Sequence, residues 1–266
     1  MFREITLGQY YPADSILHRL DPRVKLFGTL IYIIVLFVAS EPISFGVITA
    51  ALICIIVISK VPFSYMTKGL SGIVMLLVIA GVFNLFLTPG IPIFKLGPLT
   101  ISDIGLKNAA IMVIRMVYLI VGTSLMTLTT TPNQLTDGLE RSMRPMSKIG
   151  LPVHEIAMMM SIALRFIPIL VEETDKIMKA QMARGADFET GGIIKRAKAM
   201  VPILVPLFVS AFRRASDLAM AMEARCYHGG EGRTKMKPLT YTAADRVAYL
   251  IILLFLAGIV ALSILL

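Results

Sequence analysis

The stretches IAMMMSIALRFIPIL (156–170) and AMVPILVPLFVSAF (199–212) decide the fold, because either they cross a bilayer or they do not. Each is shorter than the roughly 20 apolar residues that span a hydrocarbon core. If both crossed, Lys176, Lys179, Arg184, Lys195, Arg196 and Lys198 would be carried to the outer side, against the positive-inside tendency. The two stretches therefore read as the apolar halves of two long helices that pack on or beside a membrane bundle and extend into water. The first is expected about from His154 to Arg184, roughly 45 Å at 1.5 Å per residue, with a kink at Pro168. The second is expected about from Ile193 to Arg225, bent near Pro202 and Pro206.

Around these stretches the chain is a membrane protein. It has 266 residues, 56% of them hydrophobic and 16% charged, and a mean hydropathy of +0.79. Apolar runs near 26–40, 43–59, 70–88, 109–130 and 247–266 each approach the length of a span. The expected class is an all-α integral membrane protein with about five transmembrane helices plus two long kinked amphipathic helices on the cytoplasmic side. Its parts are a cytoplasmic segment 1–25, a four-span bundle 26–130, a cytoplasmic module 131–246 and a last transmembrane helix 247–266. Arg3, Arg19, Arg23 and Lys25 precede the first span and Lys60 and Lys68 separate the second from the third, which puts the N-terminus inside. The 131–246 region holds 17 Lys/Arg against 12 Asp/Glu, so it is read as cytoplasmic and the C-terminus as outside. The polar opening has no h-region, and a removable signal peptide is not expected.

The net charge of +9 follows from basic cytoplasmic loops and does not call for a nucleic-acid partner. Cys54 and Cys226 stand far apart, as do His18, His154 and His228, so neither a disulfide framework nor a metal site is expected. GGEGRTK (229–235) lacks the spacing of a phosphate-binding loop and follows a helix instead of a strand, so no nucleotide or other cofactor and no catalytic residue are assigned.

The two long helices end alike, in KAQMARGADF (179–188) and AMEARCYHGG (221–230). Arg184 and Arg225 are 41 residues apart, and the same offset sets Ile177 over Leu218, Ala180 over Ala221 and Ala183 over Ala224. Positions i, i+3 and i+7 share a helical face, so each end carries a narrow strip of small residues beside one guanidinium. A cation in a last turn also complements the helix dipole, and Gly185 suits a C′ position, so capping explains part of the pattern. Small residues recurring at the same offsets favour close approach by a partner, with Arg as the planar donor for an acidic or carbonyl-lined pocket.

At these residues the sequence resembles the transmembrane (T) components of energy-coupling factor transporters, importers of vitamins and metals of the ATP-binding-cassette type. The resemblance covers nearly the whole chain: HRLDPRVKL (18–26), NLFLTPG (84–90), TTPNQLTDGLE (130–140), GLPVHEIAMMMSIALRFIP (150–168) and the paired Ala-Arg segments. It implies a non-catalytic scaffold in the bacterial cell membrane between two cytoplasmic ABC ATPase subunits and a substrate-binding membrane S component. It further implies that Ala183, Arg184 and Gly185 dock on one ATPase, and Ala224, Arg225 and Cys226 on the other, with Ala180 and Ala221 of the small-residue strips joining the two sets by their spacing. Cys226 stands where the family has Gly, which counts against a special backbone turn at that end. The chain holds 17 Met, among them Met158, Met159, Met160, Met178, Met182, Met200, Met220 and Met222 on the two long helices. Such a soft surface suits several partners, and the resemblance is to the branch that shares one energising module among many vitamin-specific S components.

The nearer alternative is a dedicated component of one cobalt, nickel or biotin importer. A self-contained secondary transporter or an intramembrane enzyme would need ionisable residues at membrane depth, and the spans carry only Arg115, expected to snorkel or to pair inside the bundle. Asn84 is read as interhelical packing, and Asp21, Pro22 and Arg23 as helix capping or topology.

Overall fold

The computed structural model describes residues 10–39, 41–89, 92–96, 99–188, 192–229, 236 and 238–265. The chain falls into two compact units, one of Gly8–Gly138 with Leu239–Leu266, the other containing Leu139–Pro238.

In the first unit a short helix α1 (Ile16–Arg19) leads into α2 (Pro22–Val38), α3 (Pro42–Ser59), α4 (Phe63–Ser71) and α5 (Val74–Leu87). A two-stranded antiparallel hairpin follows, β1 (Pro92–Leu96) and β2 (Leu99–Ser102), with Lys95 opposite Thr100. Then come α6 (Asp103–Thr129) and α7 (Pro132–Met143), whose second half belongs to the other unit, and at the far end of the sequence α10 (Ala243–Leu265). The starts are legible as local chemistry. Asp21 caps α2 by accepting from the Arg23 amide at 2.9 Å, with Pro22 at the first helical position. Ser102 caps α6 through the Gly105 amide at 2.9 Å.

α2 packs against α6 and α10, and α3 also meets both. Ile31, Val35, Leu36 and Ala39 of the α2 segment bury against Phe45 and Ile48 of α3 and Ile259 of α10. A second cluster joins Leu52, Val61 and Met66 to Val121, Leu125 and Leu128 of α6. Lipid is as apolar as these side chains, so such contacts stabilise by close packing more than by escape from water. Gly122 shows what that requires: Tyr32 lies so close that a Cβ at 122 would overlap its ring, while the Tyr32 hydroxyl donates to Tyr118 O at 2.9 Å.

The second unit holds the end of α7, a 3-10 turn over Arg144–Ile149, and two helices of 31 residues each, α8 (Val153–Ala183) and α9 (Ile193–Glu223). Both run unbroken through their prolines, Pro168 in α8 and Pro202 and Pro206 in α9. The helical class and the long pair therefore stand where expected.

Among the described residues five helices are long and apolar enough to cross a membrane, the number expected, though not the same set: α3, α6, α8, Ala197–Glu223 of α9, and α10. The stretches around 156–170 and 199–212 are thus not too short, because each helix continues well past its most apolar part. Length and composition alone do not separate α8 and α9 from spans. Conversely α2 has 17 residues and α5 only 14, since the run 70–88 is broken at Gly72 and Ile73 into α4 and α5. At 1.5 Å per residue α5 reaches about 21 Å, less than a hydrocarbon core of about 30 Å.

Candidate functional site

The Ala-Arg ends close with the same backbone turn. At α8 the Gly185 amide donates to Met182 O (2.9 Å) and the Ala186 amide to Gln181 O (3.0 Å), with Gly185 left-handed at φ 88°. At α9 the Cys226 amide donates to Glu223 O (2.9 Å) and the Tyr227 amide to Met222 O (3.1 Å), with Cys226 left-handed at φ 54°. Every one of these partners obeys the 41-residue offset, and both ends form a complete Schellman closure. The expectation that Cys226 counts against a special turn is therefore overturned. The paired hydrogen bonds hold this residue in a conformation that usually calls for Gly.

The side chains follow the same plan. Ile177 and Leu218 are half-buried, whereas Ala180, Ala183, Arg184 and Gly185 at one end and Ala221, Ala224, Arg225 and Cys226 at the other are exposed. The four residues of each set are gathered at one helix terminus. Each terminus thus offers a rigid strip without bulky side chains, a planar cation and, in its last carbonyls, a weakly negative dipole end. The chemistry of such a surface is complementary to an acidic or carbonyl-lined groove. Among the described residues no group of three or more His, Cys, Asp or Glu is placed to hold a metal ion.

Two constellations escaped the sequence reading. Glu173 of α8 accepts from Ser210 (2.6 Å) and Arg214 (2.7 Å) of α9, and the offset between Glu173 and Arg214 is again 41. That repeat of the offset was the available signal. In the first unit Asp245, 1% exposed, accepts from the Asp21 amide (2.8 Å) and from the amide and hydroxyl of Thr242 (both 2.7 Å). Thr242-x-x-Asp245 is a capping-box pattern, which betrays the helix start but not the partner 224 residues away. Beside it Arg23 pairs with Asp21 (2.8 Å) and lies over the Tyr241 ring (3.7 Å), and Lys25 Nζ donates to Thr129 O (2.8 Å). Asp21, Pro22 and Arg23 are thus a cap that also ties α2 to the start of α10.

Of the two expectations for Arg115, pairing inside the bundle is the one realised. Its Nη2 donates to Ala39 O at 2.7 Å, at the C-cap of α2, where a cation also meets the negative end of the helix dipole. Asn84 donates to Ala80 O at 3.2 Å in its own helix and approaches Met112 Sδ of α6 at 2.8 Å, a packing role.

Residues 13–236 match the family described as cobalt transport protein, CbiQ. The chain is 56% identical over 252 residues to the energy-coupling factor transporter transmembrane protein EcfT of Clostridium kluyveri, covering 94% of this chain and 93% of that one. It is 53% identical over 248 residues to EcfT of Thermosediminibacter oceani, covering 93% and 94%. To EcfT of Bacillus subtilis it is 48% identical over 246 residues, covering 92% and 93%.

Proposed function

Because the chain belongs to the family of energy-coupling factor transporter transmembrane proteins, the CbiQ/EcfT family, we propose that it couples two cytoplasmic ATPase subunits to a substrate-binding S component. It is a multi-pass membrane protein and a transporter subunit, and in this reading ATP is hydrolysed by its partners. The observation that carries the reading is the matched pair of ends: two 31-residue helices finishing, 41 residues apart, in the same exposed Ala-Arg turn. Two equivalent ends suit two related ATPase subunits. ATP-driven closure of those subunits would displace the ends, and rigid helices carry that displacement to the S component. In this reading α8 and α9 are coupling helices despite their apolar windows, because Lys176, Lys179, Arg184 and Lys198 resist translocation. The N-terminus is then cytoplasmic and the C-terminus outside.

Arg184→Glu or Arg225→Glu in the assembled transporter is expected to lower co-purification of an ATPase subunit and substrate uptake by about tenfold or more, the size of one lost charge-assisted anchor. Wild-type co-purification and uptake in both variants would overturn the docking role.

We further propose that one such protein serves several vitamin-specific S components. Support comes from the exposed Met159, Met160, Met182, Met200 and Met220 on α8 and α9, a surface able to repack against different partners. The second reading is a dedicated cobalt importer, favoured by the family description that matches residues 13–236. One preparation with its ATPases, supplied in turn with different S components, decides between them: uptake through more than one supports sharing, and dependence on a single one supports the dedicated importer.

A further inference from the structure

The 41-residue offset that superimposes the two Ala-Arg ends also relates Glu173 to Arg214, and these two residues touch. Arg214 Nη2 donates to Glu173 Oε2 at 2.7 Å. The other carboxylate oxygen accepts from Ser210 Oγ at 2.6 Å, and Ser210 and Arg214 are four residues apart on one face of α9. One carboxylate on α8 therefore grips a full turn of α9.

Glu173 and Arg214 are thus equivalent positions of α8 and α9 in the 41-residue register, and the two helices meet at them. Arg184 lies eleven residues beyond Glu173, and Arg225 eleven residues beyond Arg214. Both arms are helical over nearly all of that length, about 16 Å each at 1.5 Å per residue. The contact is equidistant along the chain from the two ends.

Stability does not account for this arrangement. The two side chains are 24% and 39% exposed, and ion pairs open to solvent contribute little net free energy. What the contact does supply is register: three groups on two helices, held at short hydrogen-bond distances, fix which turn of α8 faces which turn of α9.

We propose that Glu173 and Arg214, with Ser210, are positioning residues that form a pivot between the two docking ends. The pivot locks the two arms so that a displacement imposed at Arg184 is carried to Arg225 and the reverse. The inference rests on reading the two ends as ATPase docking sites.

The test uses the full transporter, chain plus ATPases plus an S component, and measures substrate imported per ATP hydrolysed together with retention of both ATPases. Glu173→Arg and Arg214→Glu are each expected to retain both ATPases and ATP hydrolysis but to lower uptake per ATP by about tenfold. The double exchange, Glu173→Arg with Arg214→Glu, restores the pair and is expected to bring uptake per ATP back to within about twofold of wild type. Glu173→Gln, which keeps an acceptor for Ser210 and introduces no repulsion, is expected to fall between and serves if a reversal variant does not assemble. Unchanged uptake per ATP in both single reversals or in Glu173→Gln, or failure of the double exchange to restore it, overturns the pivot. Failure of the docking reading has a different signature, since there Arg184→Glu and Arg225→Glu leave ATPase retention intact.

Discussion

Cys226 occupies a left-handed backbone position at φ 54° where Gly185, its counterpart, sits at φ 88°. An L-residue there costs about 1–2 kcal/mol, part of which Gly gives back as greater freedom of the unfolded chain. Cys226→Gly is therefore expected to stabilise the α9 terminus by about 0.5–1 kcal/mol, and Gly185→Ala to destabilise the α8 terminus by about 1 kcal/mol. Hydrogen exchange at the amides of residues 226, 227, 185 and 186 reads both effects, and equal protection in each variant and the wild type would contradict them. The Ala-Arg strip was legible because its residues repeat at one offset. The turn at Cys226 was not, because nothing in a cysteine side chain announces a left-handed backbone. His18 gives a pH prediction. Burial holds its imidazole below the usual 6.5, with the Lys25 charge acting the same way. Its ring contacts Ser15 Oγ (2.7 Å) and Tyr11 O (3.0 Å), and the Tyr11 amide donates to Leu128 O (2.9 Å). The folded chain thus favours neutral His18. Its contribution is complete above pH 6.5 and is lost as pH falls through the lower folded value, so protection of the Tyr11 amide should decline as pH falls below 6.5. In His18→Gln that decline should vanish.

The helices of the first unit are held by side chains that reach the ends of other helices. Arg115 of α6 satisfies a carbonyl at the end of α2, and Asp245 of α10 satisfies an amide at its start. Helix termini leave such groups without internal partners, and at a membrane interface or below it water does not replace them cheaply. Asp245→Ala is expected to destabilise the folded chain by about 2–4 kcal/mol, because a nearly inaccessible carboxylate with three donors is removed. Thermal unfolding in detergent checks this, and an unchanged midpoint would mean that water replaces the carboxylate. Gly122→Leu should separate α6 from α2 by forcing Tyr32 out of its place, at a cost of about 1–3 kcal/mol. The apolar runs announced α2, α3, α6 and α10 closely, since hydropathy and cap chemistry are properties of a few consecutive residues. They misjudged α5, because Gly72 and Ile73 interrupt a run that is apolar throughout. They also undervalued α8 and α9, whose charged flanks conceal helices long enough to cross.

For the whole molecule, the charge of +9 and a mean hydropathy of +0.79 belong to a protein with oily spans and basic loops. Many large apolar side chains remain exposed, among them Met75, Phe83, Phe208, Phe212 and Leu254, as a lipid surrounding requires. Membrane class, helical content, the long α8 and α9 and their paired ends were all readable from the chain. The reason is that bilayer thickness, helical period and terminal chemistry act over stretches of about four to twenty residues. Tertiary structure alone joined Glu173 to Arg214, Asp245 to Asp21 and Arg115 to Ala39, across 41, 224 and 76 residues. Each bond pairs one donor with one of many equivalent acceptors along the chain. Only the packing of helices selects which of those acceptors comes within 3 Å.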